Sequence, residues 1–315
     1  MGYSSAFERL YEELGKAIVG KREVIDRLLV ALLARGHVLI EDYPGMAKTL
    51  LASSFAKALD LHFRRIQFTP DLLPSDITGG YYWDAKSGEF KLRRGPVFTN
   101  ILLADEVNRA PPKTQSALLE AMQERQVTID GNTFPLEEPF MVVATLNPIE
   151  QEGTYPLPEA QLDRFLIKTR IGYPSFPEEV QILKKRIKRR SDRPEISRVL
   201  TRDEVLQLQR RVEDVYVDDS ILEYIVRITS STRGVKEVEV GVSPRGSEAL
   251  MKAARALALV RGRDYVIPDD VKELAVPVLS HRLVLKVESA MIGVSAEEVI
   301  RRVLEKVEVP KGFRG

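Results

Sequence analysis

Short apolar segments separated by stretches of helical spacing constrain this 315-residue chain more than any other feature. HVLIED (37–42), ILLAD (101–105), FMVVATLNP (140–148) and FLIKTRIGYP (165–174) read as buried strands, and the alternating FRRIQF (63–68) as another. Between them, PGMAKTLLASSFAKALD and PPKTQSALLEAMQE (111–124) have helical periodicity, and the prolines of the second are tolerated in a first turn. Strands that alternate with helices require a parallel sheet covered on both faces, an α/β arrangement. Residues 1–35 add helices in front, with Gly36 as the expected stop. QVTIDGNTFPL predicts a hairpin around Asp130-Gly131.

Beyond about residue 172 the strand pattern ends. EEVQILKKRIKRR, RDEVLQLQRRVED, SILEYIVRITSSTR, PRGSEALMKAARALALVRG, PDDVKELAVPVLSHRL and SAEEVIRRVLEKV are all helical in spacing, and Ser295 with Glu298 forms a capping-box signature. The expected organisation is therefore an α/β domain over 1–172 and an all-helical domain over 173–315.

Composition removes several chemistries. There is no cysteine, so disulfides, thiol catalysis and Cys-ligated metals are excluded. His37, His62 and His281 are scattered, which disfavours a histidine metal site. Lys+Arg 47 against Asp+Glu 46 gives no general attraction to nucleic acid or anionic membrane. The apolar run Leu28–Ala34 sits between arginines and is far short of a span of about 18 residues. The N-terminus lacks a signal-peptide layout, so a soluble cytoplasmic protein is expected.

The segment Glu41 to Thr49 (EDYPGMAKT) lies where a strand passes into a helix. A helix N-terminus presents free N–H groups and a positive dipole end, both suited to phosphate. Lys48 would reach the outer phosphates and Thr49 would hold Mg2+. The strict G-x-x-x-x-G-K-[ST] pattern is broken at Asp42 and Ala47, and a Pro-Gly turn before an ordinary helix would use the same residues. Two further strand ends favour the phosphate reading. Asp105 would hold Mg2+ through water and Glu106 would polarise an attacking water. Asn147 closes the next strand with an amide that can meet both water and γ-phosphate. Solvated strand-end acids and an Asn-Pro turn are the plainer alternatives.

LADEVNRAPPKTQSALLEAMQERQVTIDG, TLNPIEQEGTYPLPEAQLDRFL and SPRGSEALMKAARALALVRGRDYVIPDDV closely resemble the core segments of the MoxR family of AAA+ ATPases. The resemblance runs from Ile18 to about His281. It implies a P-loop AAA+ sheet flanked by helices with a helical lid, and a site for ATP and Mg2+. Ile18, Val19 and Gly20 match the stretch beside adenine. Pro44, Gly45, Met46, Ala47, Lys48, Thr49 and Leu50 match the phosphate loop, where this family usually carries Ala at the position of Ala47. Asp42 replaces a usual glycine, and its carboxylate is expected to point away from the phosphates. Leu146 stands where Gln is common.

Arg164, in Gln-Leu-Asp-Arg-Phe, resembles the arginine finger that reaches a neighbour's γ-phosphate; a local pair with Asp163 is the alternative. Arg245 opens a helix behind Ser243-Pro244, where a cation opposes the helix dipole by up to about 1 kcal/mol and invites an anion. The resemblance makes that anion a nucleotide phosphate. Gly241-Val-Ser243-Pro-Arg245 lacks the closing glycine of a hydrolase elbow, so Ser243 is not a nucleophile.

Gly80–Leu92 reads as a hairpin around Lys86-Ser-Gly88 and resembles the helix-2 insert of this clade, in which such hairpins face substrate; Tyr82 and Trp83 are candidate contacts. Seven basic residues between Lys184 and Arg193 lack aromatic interleaving and read as a solvated helix face, so nucleic acid is not an expected partner. The resemblance implies a homo-oligomeric, hexameric ring that hydrolyses ATP at subunit interfaces and remodels or matures a protein client, often with a von Willebrand A domain partner. A nucleic-acid motor related to minichromosome-maintenance helicases and a non-hydrolysing nucleotide adaptor are the other readings. No appended DNA-binding segment supports the first, and the intact Asp105-Glu106 pair opposes the second.

Overall fold

The computed structural model describes residues 3–148, 153–191 and 194–310. Residues 149–152 of the family-like TLNPIEQEG segment, and Arg193 at the end of the basic run, lie outside them.

Helices α1 (Tyr3–Gly15) and α2 (Arg22–Leu33) lead into β1 (Val38–Glu41), which feeds α3 (Lys48–Ala58). There follow β2 (Phe63–Gln67), a short α4 (Pro74–Thr78), the hairpin β3 (Gly79–Asp84) and β4 (Glu89–Arg94), and β5 (Ile101–Asp105). Next come α5 (Pro112–Glu124), the hairpin β6 (Gln126–Ile129) and β7 (Asn132–Pro135), β8 (Met141–Leu146), α6 (Glu159–Leu162) and β9 (Ile167–Thr169). The five long-range strands form one parallel sheet in the order β2-β5-β8-β1-β9. Successive residues of a strand face opposite sides. Val38, Ile40, Ile101, Leu103, Met141 and Val143 accordingly enter one apolar cluster, and Leu39, Leu102, Ala104, Val142 and Ala144 enter another. Both faces are thus covered, as the apolar runs require.

The remaining chain is α7 (Phe176–Arg189), α8 (Arg202–Val212), α9 (Asp219–Thr232), β10 (Val238–Val240), α10 (Pro244–Val260), α11 (Pro268–Leu279), β11 (Val284–Leu285), α12 (Val287–Met291) and α13 (Ala296–Lys306). It is the expected helical lid, and within it β10 and β11 pair as a small antiparallel ribbon. Those strands are too short for an alternation signal. The lid shares the first apolar cluster with α1, α2 and α3, with α10 and α8 packed on α2.

Local differences have physical causes. Arg35, with φ 55, takes the left-handed position after α2, and Gly36 serves another need. A Cβ at Gly36 would lie 2.5 Å from the Leu166 Cβ, so the glycine allows β9's entry to pass closely. Of the predicted 165–174 run only Ile167–Thr169 pairs as a strand. Both predicted hairpins form, the second with Asp130 (φ 47) and Gly131 (φ 80) in its turn. Trp83 meets Phe90 edge-on at 5.1 Å, and both are more than half exposed. The basic run lies on α7, a helix with no buried side chain, where Lys185 donates to the Gly15 carbonyl. Among the described residues no helix is long and apolar enough to cross a membrane.

Candidate active site

Parallel strands bring their carboxyl ends to one edge, where an open α/β sheet forms its crevice. The register sets the heights. Glu41 pairs with Leu146, Ala104 with Ala144 and Gln67 with Asp105, so loop 42–47, Asp105-Glu106 and Asn147 rise from one rim.

The loop reaches α3 through Gly45 (φ 82) and Ala47 (φ 54, ψ 24). A left-handed alanine costs roughly 1–2 kcal/mol, which is why phosphate loops favour glycine at this position. Lys48 begins the helix and its Nζ donates to the Asp42 carbonyl at 2.9 Å. Its ammonium is therefore held by a neutral acceptor. The side chain of Asp42 turns from the loop toward the segment after β9. Oδ2 accepts from the N–H groups of Ile171 and Gly172, both at 2.7 Å, and Oδ1 from that of Tyr43 at 2.9 Å.

Beside the loop lies a pocket of about 220 Å³ lined by Ile18, Val19, Gly45, Met46, Ala47, Leu50 and, opposite, Ile171, Gly172 and Pro174. It is mainly apolar and about the size for a purine. Gly20 turns with φ 71 directly against Glu178, where a Cβ would lie 1.6 Å from Oε1. Thr49, the second residue of α3, is also among the residues lining a groove of about 510 Å³ along that helix, with Ser53, Lys57 and Phe63.

The acid pair is held by side chains that the sequence did not bring forward. Asp105 Oδ2 accepts from Arg65 Nη2 at 2.7 Å and Nε at 3.1 Å, and Oδ1 from Thr145 Oγ1 at 2.6 Å. Glu106 Oε2 accepts from Gln67 Nε2 at 2.6 Å and Arg109 Nη1 at 3.0 Å. Its own N–H donates to Thr145 Oγ1 at 2.8 Å. Glu106 sits at φ 56, ψ 52, a left-handed conformation uncommon for a residue other than glycine. Such strain recurs at functional positions. Asn147 is buried at the end of β8.

The two arginines lie elsewhere. Val38 pairs with Ile167, and Leu166 N–H donates to the His37 carbonyl, so Arg164 enters at the amino end of the sheet. It therefore stands at the opposite end of the strands from the loop that follows β1. Arg164 Nη1 donates to the Leu119 carbonyl at 2.7 Å. It does not pair with Asp163, whose carboxylate is taken by lid residues: Arg282 Nε at 2.8 Å and Arg245 Nη1 at 3.2 Å. Arg282 also donates to the Asp163, Phe165 and Leu166 carbonyls. Burial lowers its pKa, and Asp163 opposes the shift. Arg245 therefore finds its anion within the chain, beside the finger candidate rather than beside Lys48. Its side chain stays 67% exposed, which leaves the guanidinium open to a further partner.

A parallel sheet with a loop of this kind at its carboxyl rim and a helical lid defines an AAA-type P-loop ATPase fold. Residues 37–167 match the ATPase family associated with various cellular activities (AAA), and residues 230–303 match its lid domain. The chain is 48% identical over 313 residues to Chaperone MoxR1 of Mycobacterium tuberculosis, covering 96% of this chain and 82% of that protein. It is 54% identical over 300 residues to the uncharacterized protein YeaC of Bacillus subtilis, with 95% and 93% covered. The crystal structure of a candidate ATPase from Cytophaga hutchinsonii superposes with TM-score 0.92 at 42% identity, over 98% of this chain and 96% of the other. The chain belongs to the MoxR family of AAA+ ATPases.

Proposed function

We propose that the protein binds ATP with Mg2+ at the carboxyl rim of its sheet and hydrolyses it only where a second copy supplies arginines. The observation that carries this is the separation of the two halves: Lys48, Asp105 and Glu106 stand at one end of the strands, and Arg164 and Arg245 at the other. The residues fit the ligands. The apolar pocket suits the base, the free N–H groups at the start of α3 suit phosphate, and Asp105 already attracts a cation in Arg65.

In this reading the loop and Lys48 hold the outer phosphates, and Thr49 with Asp105 holds the metal. Mg2+ supplies charge neutralisation of the phosphate oxygens. Glu106, with Oε2 engaged by Gln67 and Arg109, presents Oε1 to the attacking water. Asn147 fixes that water against the γ-phosphate. Arg164 and Arg245 of a neighbouring copy stabilise charge on the transferring group. Because the donating end differs from the accepting end, the contact is head-to-tail, and such a contact closes into a ring when the rotation between copies closes. Family resemblance supports a hexameric ring, and the name of the Mycobacterium tuberculosis relative supports chaperone-like work on a protein client, a von Willebrand A domain protein among the candidates.

Lys48→Ala and Glu106→Gln test the assignment with a fluorescent ATP analogue and phosphate release. Lys48→Ala is expected to abolish binding. Glu106→Gln should bind within about threefold of wild type while turnover falls by about 10² or more. Equal turnover in wild type and Glu106→Gln would remove the assignment.

A further inference from the structure

We propose that Asp42 is a positioning residue that couples the base pocket to the phosphate loop. The proposal rests on the nucleotide reading above and concerns a residue that departs from the usual loop pattern.

Asp42 is 5% exposed, at the first residue after β1. It does not have the positive φ that would call for glycine there. A buried carboxylate requires hydrogen-bonding partners, and this one has three backbone N–H groups. Two come from successive residues, Ile171 and Gly172, which converge on one oxygen. Gly172, at φ 68, supplies the left-handed turn that makes such a concave pair of donors. A cradle of this kind ordinarily receives an external anion. Here the chain fills it with its own.

The position of this contact matters more than its strength. Ile171 and Gly172 form one wall of the 220 Å³ pocket, and Gly45, Met46 and Ala47 of the loop form the other. Asp42 joins the two walls from behind. Its carbonyl also receives Lys48 at 2.9 Å, so one residue touches the base wall with its side chain and the phosphate-binding lysine with its backbone. Neighbouring contacts act in the same sense: Tyr43 stacks on Tyr173 at 6.0 Å, and Lys21 Nζ donates to the Tyr173 carbonyl at 2.9 Å. A base seated between the walls fixes the segment after β9, and through Asp42 that fixes the start of the loop. The loop's own geometry, set by Gly45, Ala47 and α3, does not need this contact.

The test compares ATP with inorganic tripolyphosphate, which has the phosphates and no base, by calorimetry at fixed Mg2+. Wild type should bind ATP much more tightly than tripolyphosphate. Asp42→Ala is expected to weaken ATP at least tenfold, or ~1.4 kcal/mol, and to change tripolyphosphate by less than about threefold. Asp42→Asn keeps one acceptor oxygen but sets an NH2 group against an N–H, so its ATP-to-tripolyphosphate ratio should fall at least about threefold, to a value between the other two. If Asp42→Ala does not fold, the Asp42→Asn ratio decides, and an unchanged ratio overturns the coupling. Equal losses for both ligands in Asp42→Ala would reduce Asp42 to a general stabiliser. A gain in ATP affinity would mean that repulsion between carboxylate and phosphates outweighs the brace. A wild-type protein that binds neither ligand would take down the nucleotide reading itself, and the coupling with it.

Discussion

The two ends of the central sheet are built on opposite electrostatic plans. At the carboxyl rim, Lys48, Arg65 and Arg109 stand among Asp42, Asp105 and Glu106, and every carboxylate is held by a donor. At the amino end, Arg245 and Arg282 share the carboxylate of Asp163, and Arg164 donates to the Leu119 carbonyl. The first set is balanced and the second has surplus positive charge. A triphosphate added to the balanced end makes it strongly anionic, and the surplus that would neutralise it lies on the wrong side of the same chain. In the proposed reading neither end is a complete phosphoryl-transfer site, and the two would complement one another across different copies.

The largest expected effect breaks this complementarity directly. Arg164→Ala should lower ATP turnover by about 10³ or more, the usual worth of an arginine finger. Lys48→Ala should be as inactive for the opposite reason. Mixed, the two can assemble interfaces with an intact loop facing an intact arginine, and turnover should partly recover and rise faster than linearly with protein concentration. Full activity in a dilute, demonstrably monomeric sample would sink the trans arrangement.

The ends should also separate under acid. His37, below β1, is wholly buried between the Met122 carbonyl and the Val142 N–H, both at 3.0 Å. Burial lowers its pKa from 6.5 to about 4, with Arg125 adding to the shift and the Met122 contact opposing it. The unfolded chain therefore takes up a proton at higher pH than the native one. This contribution to stability is fully present above pH 6.5 and is lost as pH falls toward 4, in total about 3 kcal/mol. His281, hydrogen-bonded to the Phe165 carbonyl, is also shifted down by burial and adds to the same window. Denaturant titrations from pH 7 to 4 should show this slope, and hydrogen exchange should show the amino end loosening first. A flat profile over that range would contradict neutral burial of these rings.

What could be read from sequence divides along the same line as the two ends. The loop, the acid pair and Asn147 are local motifs on apolar strands, so their place at one rim follows from strand direction alone. The partners of those acids do not. FRRIQF puts Arg65 and Gln67 on one face, but their meeting with Asp105 and Glu106 requires β2 to lie beside β5 in one register. Asp163 and Arg282 are 119 residues apart, and nothing in either segment announces the pair. The helix dipole gives Arg245 an anion and the family resemblance makes it phosphate; the position of the lid decides whose phosphate it can be. The charge of Asp42 predicts only that it turns from phosphate, whereas two of its three partners lie 129 and 130 residues away.

Arg245 sharpens the comparison between the ends. Its pair with Asp163 is exposed and worth at most about 1 kcal/mol, so Arg245→Ala should leave folding and helix content unchanged. Since it stands with the finger, ATP affinity of the isolated subunit should also be unchanged, while turnover of the assembled protein falls by about tenfold to a hundredfold. A loss of affinity in dilute monomer would return Arg245 to its own chain's nucleotide and redraw the boundary between the two ends.

The smallest effect concerns the balance within the carboxyl rim. Arg65 makes two hydrogen bonds to Asp105 Oδ2 and is nearly half exposed, so it can leave without unfolding anything. In the proposed site Mg2+ would have to compete with it for this carboxylate. Removing a competitor leaves Asp105 as an unpaired acceptor, still oriented by Thr145 through Oδ1. Arg65→Ala should therefore lower the Mg2+ concentration needed for half-maximal ATP binding by about threefold, under 1 kcal/mol, the scale of a partly screened ion pair. Gln67 and Arg109 still hold Glu106, so the shift should appear in the metal titration and not in the affinity for nucleotide without metal. If Arg65→Ala instead raises the Mg2+ requirement, the guanidinium is part of the metal site's architecture, and the balance at this rim is a working arrangement that persists when nucleotide is bound.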